Sequence, residues 1–166
     1  MKIYSKTEFW VTVILLILTV ALSAVAYDRW YTLSVFVGSY LFIHWIGIIG
    51  TGFITVFTPI YYALNRKRPK SRKILLKLHV YGNLVSYLLV SVHFAQHLGR
   101  LSSFLSNLGE GTVLFFVLTT ITATGIMERF QIAKSKQRIV RLVHHYAVIV
   151  FYALVLLHAL QGFNII

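Results

Sequence analysis

The sequence predicts an all-α membrane protein, a five-span transmembrane helical bundle with a cytoplasmic N-terminus and an external C-terminus. Of its 166 residues, 58% are hydrophobic, and the mean hydropathy is +0.77. The hydrophobic residues form blocks of about 20 or more, the helix length that crosses a bilayer. The basic residues lie between these blocks. Together these observations favour a protein dissolved in lipid, with membrane lipid as its main surroundings.

The five predicted spans follow one another with short connections. They run from about Phe9 to Ala26, Trp30 to Leu64, Ile74 to Leu98, Gly111 to Arg129 and Ile139 to Phe163. The first span is interpreted as a retained helix, because it is long for a signal peptide and has no clear cleavage site. The second, about 35 residues, exceeds the roughly 30 Å hydrocarbon core. It is therefore expected to tilt, bend or project at Gly47, Gly50, Gly52 or Pro59.

The charges predict the orientation of the spans. There are 16 Lys and Arg residues against 4 Asp and Glu, a net charge of +12. Counted from the N-terminus, the segments between the spans, together with the span ends beside them, carry 2, 1, 7, 1 and 5 basic residues. Cytoplasmic loops are enriched in Lys and Arg, so the alternation places the N-terminus inside and makes the third and fifth spans parallel. The same placement favours anionic lipid over nucleic acid as the partner, and a multi-pass location in the cell membrane.

Seven histidines lie within or at the edges of the apolar spans, where an ionisable residue indicates function. His79 and His93 occupy positions i and i+14 of the third span. At 100° per residue both rings share one helix face, about 21 Å apart along the axis. On the fifth span His158 is at i+14 from His144 and at i+13 from His145. The third and fifth spans thus carry matching histidine pairs.

This register indicates two haems stacked through the membrane. Since the two spans are parallel, His79 is level with His144 or His145 on the inner side, and His93 is level with His158 on the outer side. Facing imidazoles ligate a haem iron from both axial positions. The chain has no cysteine, which excludes Cys-ligated iron–sulfur clusters and C-x-x-C-H haem attachment. The haems are therefore expected to be haem b, held by coordination alone.

Residues near these histidines have two interpretations. Small or apolar side chains on the same faces either admit a flat macrocycle or serve ordinary helix packing; they are Gly82, Ser86, Val90, Val148, Phe151 and Val155. Basic residues at the span ends either pair with haem propionates or only set the topology; they are Lys77, Arg138 and Arg141 inside and Arg100 outside. The roles of His44 and His97 stay open.

Two stretches carry a resemblance to a known family. "HVYGNLVSYLLVSVHFAQH" from His79 to His97 and "HHYAVIVFYALVLLH" from His144 to His158 resemble the third and fifth helices of the ferric reductase-like transmembrane domain. That superfamily includes ferric reductases, NADPH oxidases and the membrane subunit of the bacterial methionine sulfoxide reductase system. The resemblance covers about residues 10–163. It implies one haem-binding domain over residues 1–166, with ligands at His79, His93, His158 and one of His144 and His145.

The function expected from these features is electron transfer across the membrane, by an electron-transfer component or a transmembrane oxidoreductase. Many family members continue into a flavin–NADPH module, but this sequence has no G-x-G-x-x-G motif. The expected donor is therefore a cytoplasmic flavoprotein reductase or quinol, and the acceptor is external. One alternative is a quinol-linked cytochrome b anchor subunit, because "H-x-x-G" at His79–Gly82 resembles cytochrome b of quinol-oxidising complexes. A second is a non-redox, histidine-lined transporter, which the absence of Asp and Glu from the middles of the spans disfavours.

Overall fold

The computed structural model describes residues 6–29, 31, 34–67, 69–99 and 109–162. Five α-helices dominate it: α1 (Lys6–Asp28), α2 (Phe42–Lys67), α3 (Arg72–Gly99), α4 (Gly109–Phe130) and α5 (Gln137–Gly162). Two short strands, β1 (Phe36–Val37) and β2 (Tyr40–Leu41), precede α2. All five helices are long and apolar enough to cross a membrane. The predicted all-α membrane fold with five spans is confirmed at this level.

Several residues on which the sequence-based predictions rest lie outside the described residues. They are the span ends Trp30 and Phe163, the basic residues Lys2, Arg68 and Arg100 counted above, and residues 101–108 of the predicted connection between the third and fourth spans. The interpretation of Arg100 as a propionate partner therefore stays a prediction.

The chain divides into two compact units. One, here called the N-terminal unit, is Thr12–Ser103, and it includes most of α1, the strands, α2 and α3. The other, the C-terminal unit, is Met1–Val11 with Phe104–Ile166, and it includes the first turns of α1 with α4 and α5. Each unit is built around one pair of packed consecutive helices, α2 with α3 or α4 with α5.

The second span begins later than predicted. The prediction of a helix from Trp30 is wrong for the described residues before Phe42, because β1 and β2 form an antiparallel hairpin there. Gly38, with φ of 65°, occupies the turn, where its missing side chain permits a left-handed conformation. Hydropathy did not separate the two cases, since Val, Phe, Tyr and Leu are apolar in either structure. The helix then continues through Pro59 to Lys67.

In the N-terminal unit α2 packs antiparallel on α3. The buried face of α2 consists of Ile43, Gly47, Gly50 and Ile54, which recur every three or four residues, as one helix face requires. A methyl group at Gly50 would come within 3.0 Å of the Ser86 carbonyl oxygen. Of the glycines that were expected to bend the second span, Gly47 and Gly50 therefore lie where α2 approaches α3 closely, whereas a methyl group at Gly52 would have nothing within 4 Å.

In the C-terminal unit a tight turn joins α4 to α5. Gln131, at φ of 53°, ends α4 in the left-handed region. Ile132 N donates to Met127 O at 3.1 Å, and Gln131 N donates to Glu128 O at 3.4 Å, the two bonds of a Schellman cap. The first turn of α1 is tied to the end of α4 by a salt bridge of 2.6 Å between Glu8 and Arg129. α4 and α5 thus form an antiparallel hairpin with an anchored end.

Candidate functional site

His93 lies in the contact between α3 and α2. Its Nδ1 donates a hydrogen bond to the carbonyl oxygen of Ile43 at 3.0 Å. The ring reaches this carbonyl because Gly47, one turn along α2, has no side chain. A methyl group at Gly47 would come within 3.0 Å of both Cγ and Nδ1 of His93. The close approach of the two helices therefore holds the ring in place.

The hydrogen bond of His93 determines which nitrogen of its ring carries the proton. A carbonyl oxygen only accepts, so Nδ1 carries the proton. In the neutral imidazole Nε2 then keeps its lone pair and is the metal-binding nitrogen. Histidines that ligate metals usually donate their other N–H to a carbonyl or carboxylate in this way. His93 therefore has the hydrogen-bond pattern of an axial ligand.

His79, at the other end of the α3 pair, is held by side chains. Its ring stacks on that of Tyr61 from α2, with centroids 4.3 Å apart and 13° between the planes. The amide nitrogen Nδ2 of Asn83, one turn along α3, lies 3.2 Å from Nδ1 of His79. An NH₂ group only donates, so in this orientation Nδ1 accepts and the neutral ring carries its proton on Nε2. Coordination through Nε2 of His79 would require the amide turned by 180°, so that Oδ1 accepts from Nδ1–H.

The residues between His79 and His93 do not form an open face. Phe53 of α2 extends its ring into the space above Gly82, where a side chain at Gly82 would clash with it. Gly50 of α2 lies against Ser86 and Val90. Of the two interpretations of Gly82, Ser86 and Val90, helix packing is the one that the structure supports, because these residues lie against α2.

His44 and His97 form a cluster with His93. The His44 and His97 rings stack with centroids 5.6 Å apart and 20° between the planes. The His93 ring lies 4.7 Å from that of His97 and 5.9 Å from that of His44. Spacing along one helix did not reveal this cluster, because His44 is on α2 and the other two are on α3.

In the C-terminal unit His144 of α5 lies against α4. Its Nδ1 is 3.1 Å from the Ile121 carbonyl oxygen and 3.0 Å from Thr124 Oγ1. The carbonyl only accepts, so Nδ1 again carries the proton and Nε2 is available to iron. A methyl group at Gly125 would come within 3.3 Å of Cε1 of His144, so this glycine also makes room for the ring.

The other candidate histidines of α5 are exposed. His158 has Gly111 of α4 beside it, where a methyl group would be 3.7 Å from Cε1 of the ring. His145 makes an edge contact with its neighbour Tyr146, with centroids 6.3 Å apart. Phe151, between the two ends of the pair, is buried at 1% exposure. Of the two adjacent histidines, His144 is the half-buried one with a hydrogen bond to α4.

The neighbours of the histidine pairs repeat the spacing of the pairs. On α4, Gly111 and Gly125 stand at i and i+14 and contact His158 and His144. On α2, Gly47 and Tyr61 also stand at i and i+14 and contact His93 and His79. Antiparallel packing requires this correspondence, since equal steps along both helices keep partners level. The spacing of Gly111 and Gly125 is visible in the sequence and could have indicated which residues lie beside the histidine rings.

The predicted propionate partners that the structure describes lie at the helix ends. Lys77, Arg138 and Arg141 are exposed. The Nε of Arg141 donates to a carboxylate oxygen of Glu128 at 3.0 Å, so this cation is already paired within its unit. Their exposure agrees equally with lipid headgroups as partners.

Histidine nitrogens are the donors that the described site offers to a metal centre. Within the described ranges no group of three or more His, Cys, Asp or Glu side chains is able to hold a metal ion. A haem brings four nitrogens of its own and needs only axial ligands from the protein. His93 and His144 fit that role through Nε2.

The comparison of the chain with protein-family models, curated proteins and solved structures finds no match.

Proposed function

We propose that this protein is a b-type dihaem membrane cytochrome of the ferric reductase-like kind. It carries electrons across the cell membrane from a cytoplasmic flavoprotein or quinol donor to an external acceptor. By the register of the sequence, His79 and His144 would hold the inner haem, and His93 and His158 would hold the outer one.

One observation carries the proposal. A histidine of each unit, His93 or His144, has Nδ1 bonded to a carbonyl oxygen of the neighbouring helix. Both belong to pairs with the same i, i+14 spacing. Every buried imidazole needs an acceptor for its N–H; what supports ligation is that the bonded nitrogen is Nδ1 in both units, which leaves Nε2 as the unprotonated nitrogen. The same observation supports His144 over the exposed His145 as the ligand.

The chain itself supplies ligands, spacing and an apolar environment. When bound, a haem supplies a one-electron ferric–ferrous couple. His79 and His93 are separated by about 21 Å along α3, which spreads two such couples over most of the bilayer core. The helix contacts at Gly47 and Gly125 fix the rings, so that little reorganisation accompanies a change of iron charge.

The distribution of positive charge supports electron entry from the cytoplasmic side of the membrane. Exposed cations surround the turn between α2 and α3, and they are Arg66, Lys67, Lys70, Arg72, Lys73 and Lys77. By the positive-inside rule this turn and the N-terminus are cytoplasmic, and the C-terminus is external. A reporter inserted at Lys70 is expected to be cytoplasmic and one after Ile166 external.

The test is a haem count combined with a reduced-minus-oxidised absorption spectrum of the purified protein. We expect two haems per chain and a b-type spectrum. Quinol, or NADPH together with an added flavin reductase, should reduce the haems, whereas NADPH alone should not. A chain that is purified from haem-replete cells without haem absorbance contradicts the proposal and favours the histidine-lined transporter.

A further inference from the structure

Thr124 is a polar side chain of α4 whose position the electron-transfer proposal does not explain. It is 8% exposed, and its Oγ1 lies 3.0 Å from Nδ1 of His144. The neighbouring contacts of Oγ1 are 2.6 Å to Thr120 O and 3.1 Å to Ile121 O. Thr122 of the same helix bonds to the Leu118 carbonyl, one turn earlier, at 3.0 Å. Thr124 likewise bonds to the carbonyl one turn earlier, that of Thr120, and its hydroxyl also contacts the ring of His144.

The direction of the Thr124–His144 bond follows from counting protons. The hydroxyl has one proton and donates it to Thr120 O, its shortest contact. Nδ1 of His144 also faces Ile121 O, which only accepts. The proton between the ring and α4 is therefore the one on Nδ1, and it is shared between Ile121 O and Thr124 Oγ1. Thr124 acts here as an acceptor.

We infer that Thr124 is a positioning residue that, as a second acceptor beside the Ile121 carbonyl, orients the His144 ring and raises its donor strength toward the inner haem. This inference rests on the proposed function. An acceptor at Nδ1–H increases the basicity of an imidazole toward its metal. A more basic axial ligand stabilises ferric over ferrous iron and lowers the reduction potential. His93 receives the same support from the Ile43 carbonyl, which no side-chain substitution removes.

The experiment compares Thr124→Val with Thr124→Ser in the purified haem-loaded protein. Valine has nearly the shape of threonine without the acceptor, whereas serine keeps the hydroxyl. Redox titration of the valine variant should show one of the two haems shifted to a higher midpoint potential. We expect about a threefold change in its reduced-to-oxidised ratio at a given potential, or on the order of 30 mV at about 59 mV per tenfold for one electron. Thr124→Ser should restore the native value.

A matched control comes from the same helix. Thr122→Val removes a hydroxyl that also bonds to a carbonyl one turn earlier, so it reproduces any loss of helix stability. It should leave both potentials unchanged. A second readout uses haem-free protein with ¹⁵N-labelled histidine rings, in which Thr124→Val should shift the Nδ1 signal of His144. The signal is assigned by its absence in His144→Gln.

The outcomes separate this inference from the proposed function. If the protein binds two haems and Thr124→Val changes neither potential, the inference is overturned and the proposed function stands. Equal shifts in the valine and serine variants, or a shift in Thr122→Val, also overturn it. If no haem binds, the proposed function fails, and with it the role inferred for Thr124.

Discussion

The α2–α3 and α4–α5 hairpins place histidines at the same spacing but support them differently. In the N-terminal unit the rings lie against tight contacts: Tyr61 stacks on His79, and Gly47 brings His93 to the Ile43 carbonyl. In the C-terminal unit the ring of His144 bonds to Thr124 and occupies the space beside Gly125. There His158 is exposed, and a methyl group at Gly111 would only reach an ordinary contact distance from its ring.

The difference teaches that spacing and support are separate properties of a ligand pair. Spacing follows from helix geometry, and both hairpins satisfy it by default once the histidines stand at i and i+14. Support follows from what the neighbouring helix offers, a carbonyl, a hydroxyl, an aromatic ring or a gap. Loss of a histidine should therefore have the same effect on haem content in both units. Substitutions of the residues beside the rings should have different effects in the two units.

The largest expected effect is the loss of one haem when a ligand is removed from either unit. His93→Ala and His158→Ala should each lose the outer haem and keep the inner one. His79→Ala and His144→Ala should each lose the inner haem, because an iron with a single axial bond is held poorly. The haem content per chain and the spectrum of the remaining haem measure this.

His145→Ala is the matched control, since it removes the adjacent ring and should keep both haems. Full haem content in both His93→Ala and His158→Ala contradicts the pairing. In that case the repeated spacing would serve helix packing in both hairpins.

The next comparison is between two ion pairs of the C-terminal unit. Glu8 and Arg129 are 14% and 11% exposed, whereas Glu128 and Arg141 are 34% and 68% exposed. Glu8→Gln should lower the free energy of unfolding by about 1.5–3 kcal/mol, because the largely shielded guanidinium of Arg129 loses a charged hydrogen-bond partner. Glu128→Gln should lower it by less than about 1 kcal/mol, because water screens that pair.

Thermal and denaturant unfolding in detergent measure both effects. Adding Arg129→Gln to Glu8→Gln should recover part of the loss, since no uncompensated charge remains. Equal losses for Glu8→Gln and Glu128→Gln would show that the two pairs are solvated alike.

The smallest expected effects form a graded series at the glycines beside the rings. Alanine at Gly47 meets His93 at 3.0 Å, and alanine at Gly125 meets His144 at 3.3 Å. Alanine at Gly111 would be at 3.7 Å from its ring, and at Gly52 nothing lies within 4 Å. Overpacking costs about 1–3 kcal/mol, whereas replacing a helical glycine by alanine gains up to about 1 kcal/mol.

Gly47→Ala should therefore destabilise the protein, and it should weaken haem binding by about tenfold by displacing His93. Gly125→Ala should do the same to a smaller extent, while Gly111→Ala and Gly52→Ala should be neutral or stabilising. Unfolding curves and haem titrations of the four variants give the order. A destabilised Gly52→Ala variant with an unaffected Gly47→Ala variant would reverse the comparison.

Particular elements show how far the sequence predicted the fold. Helices α1, α3, α4 and α5 begin and end within about four residues of the predicted spans, because long apolar runs bounded by charges permit few alternatives. The start of α2 was wrong, because the β1–β2 hairpin is as apolar as a helix. For Gly82 and Ser86 the sequence left two interpretations open, and the structure supports helix packing; sequence alone does not show which helix covers a face.

The sequence by itself determined the five apolar spans, the alternating charge and the two histidine pairs with their shared spacing. These are properties of single helices, and period and composition suffice to predict them. Only the tertiary structure decided that His44 meets His97, that Phe53 fills the space at Gly82, and that Thr124 accepts from His144. Each of these contacts joins residues of two different helices, and it depends on the approach and rotation of those helices, which no local pattern specifies.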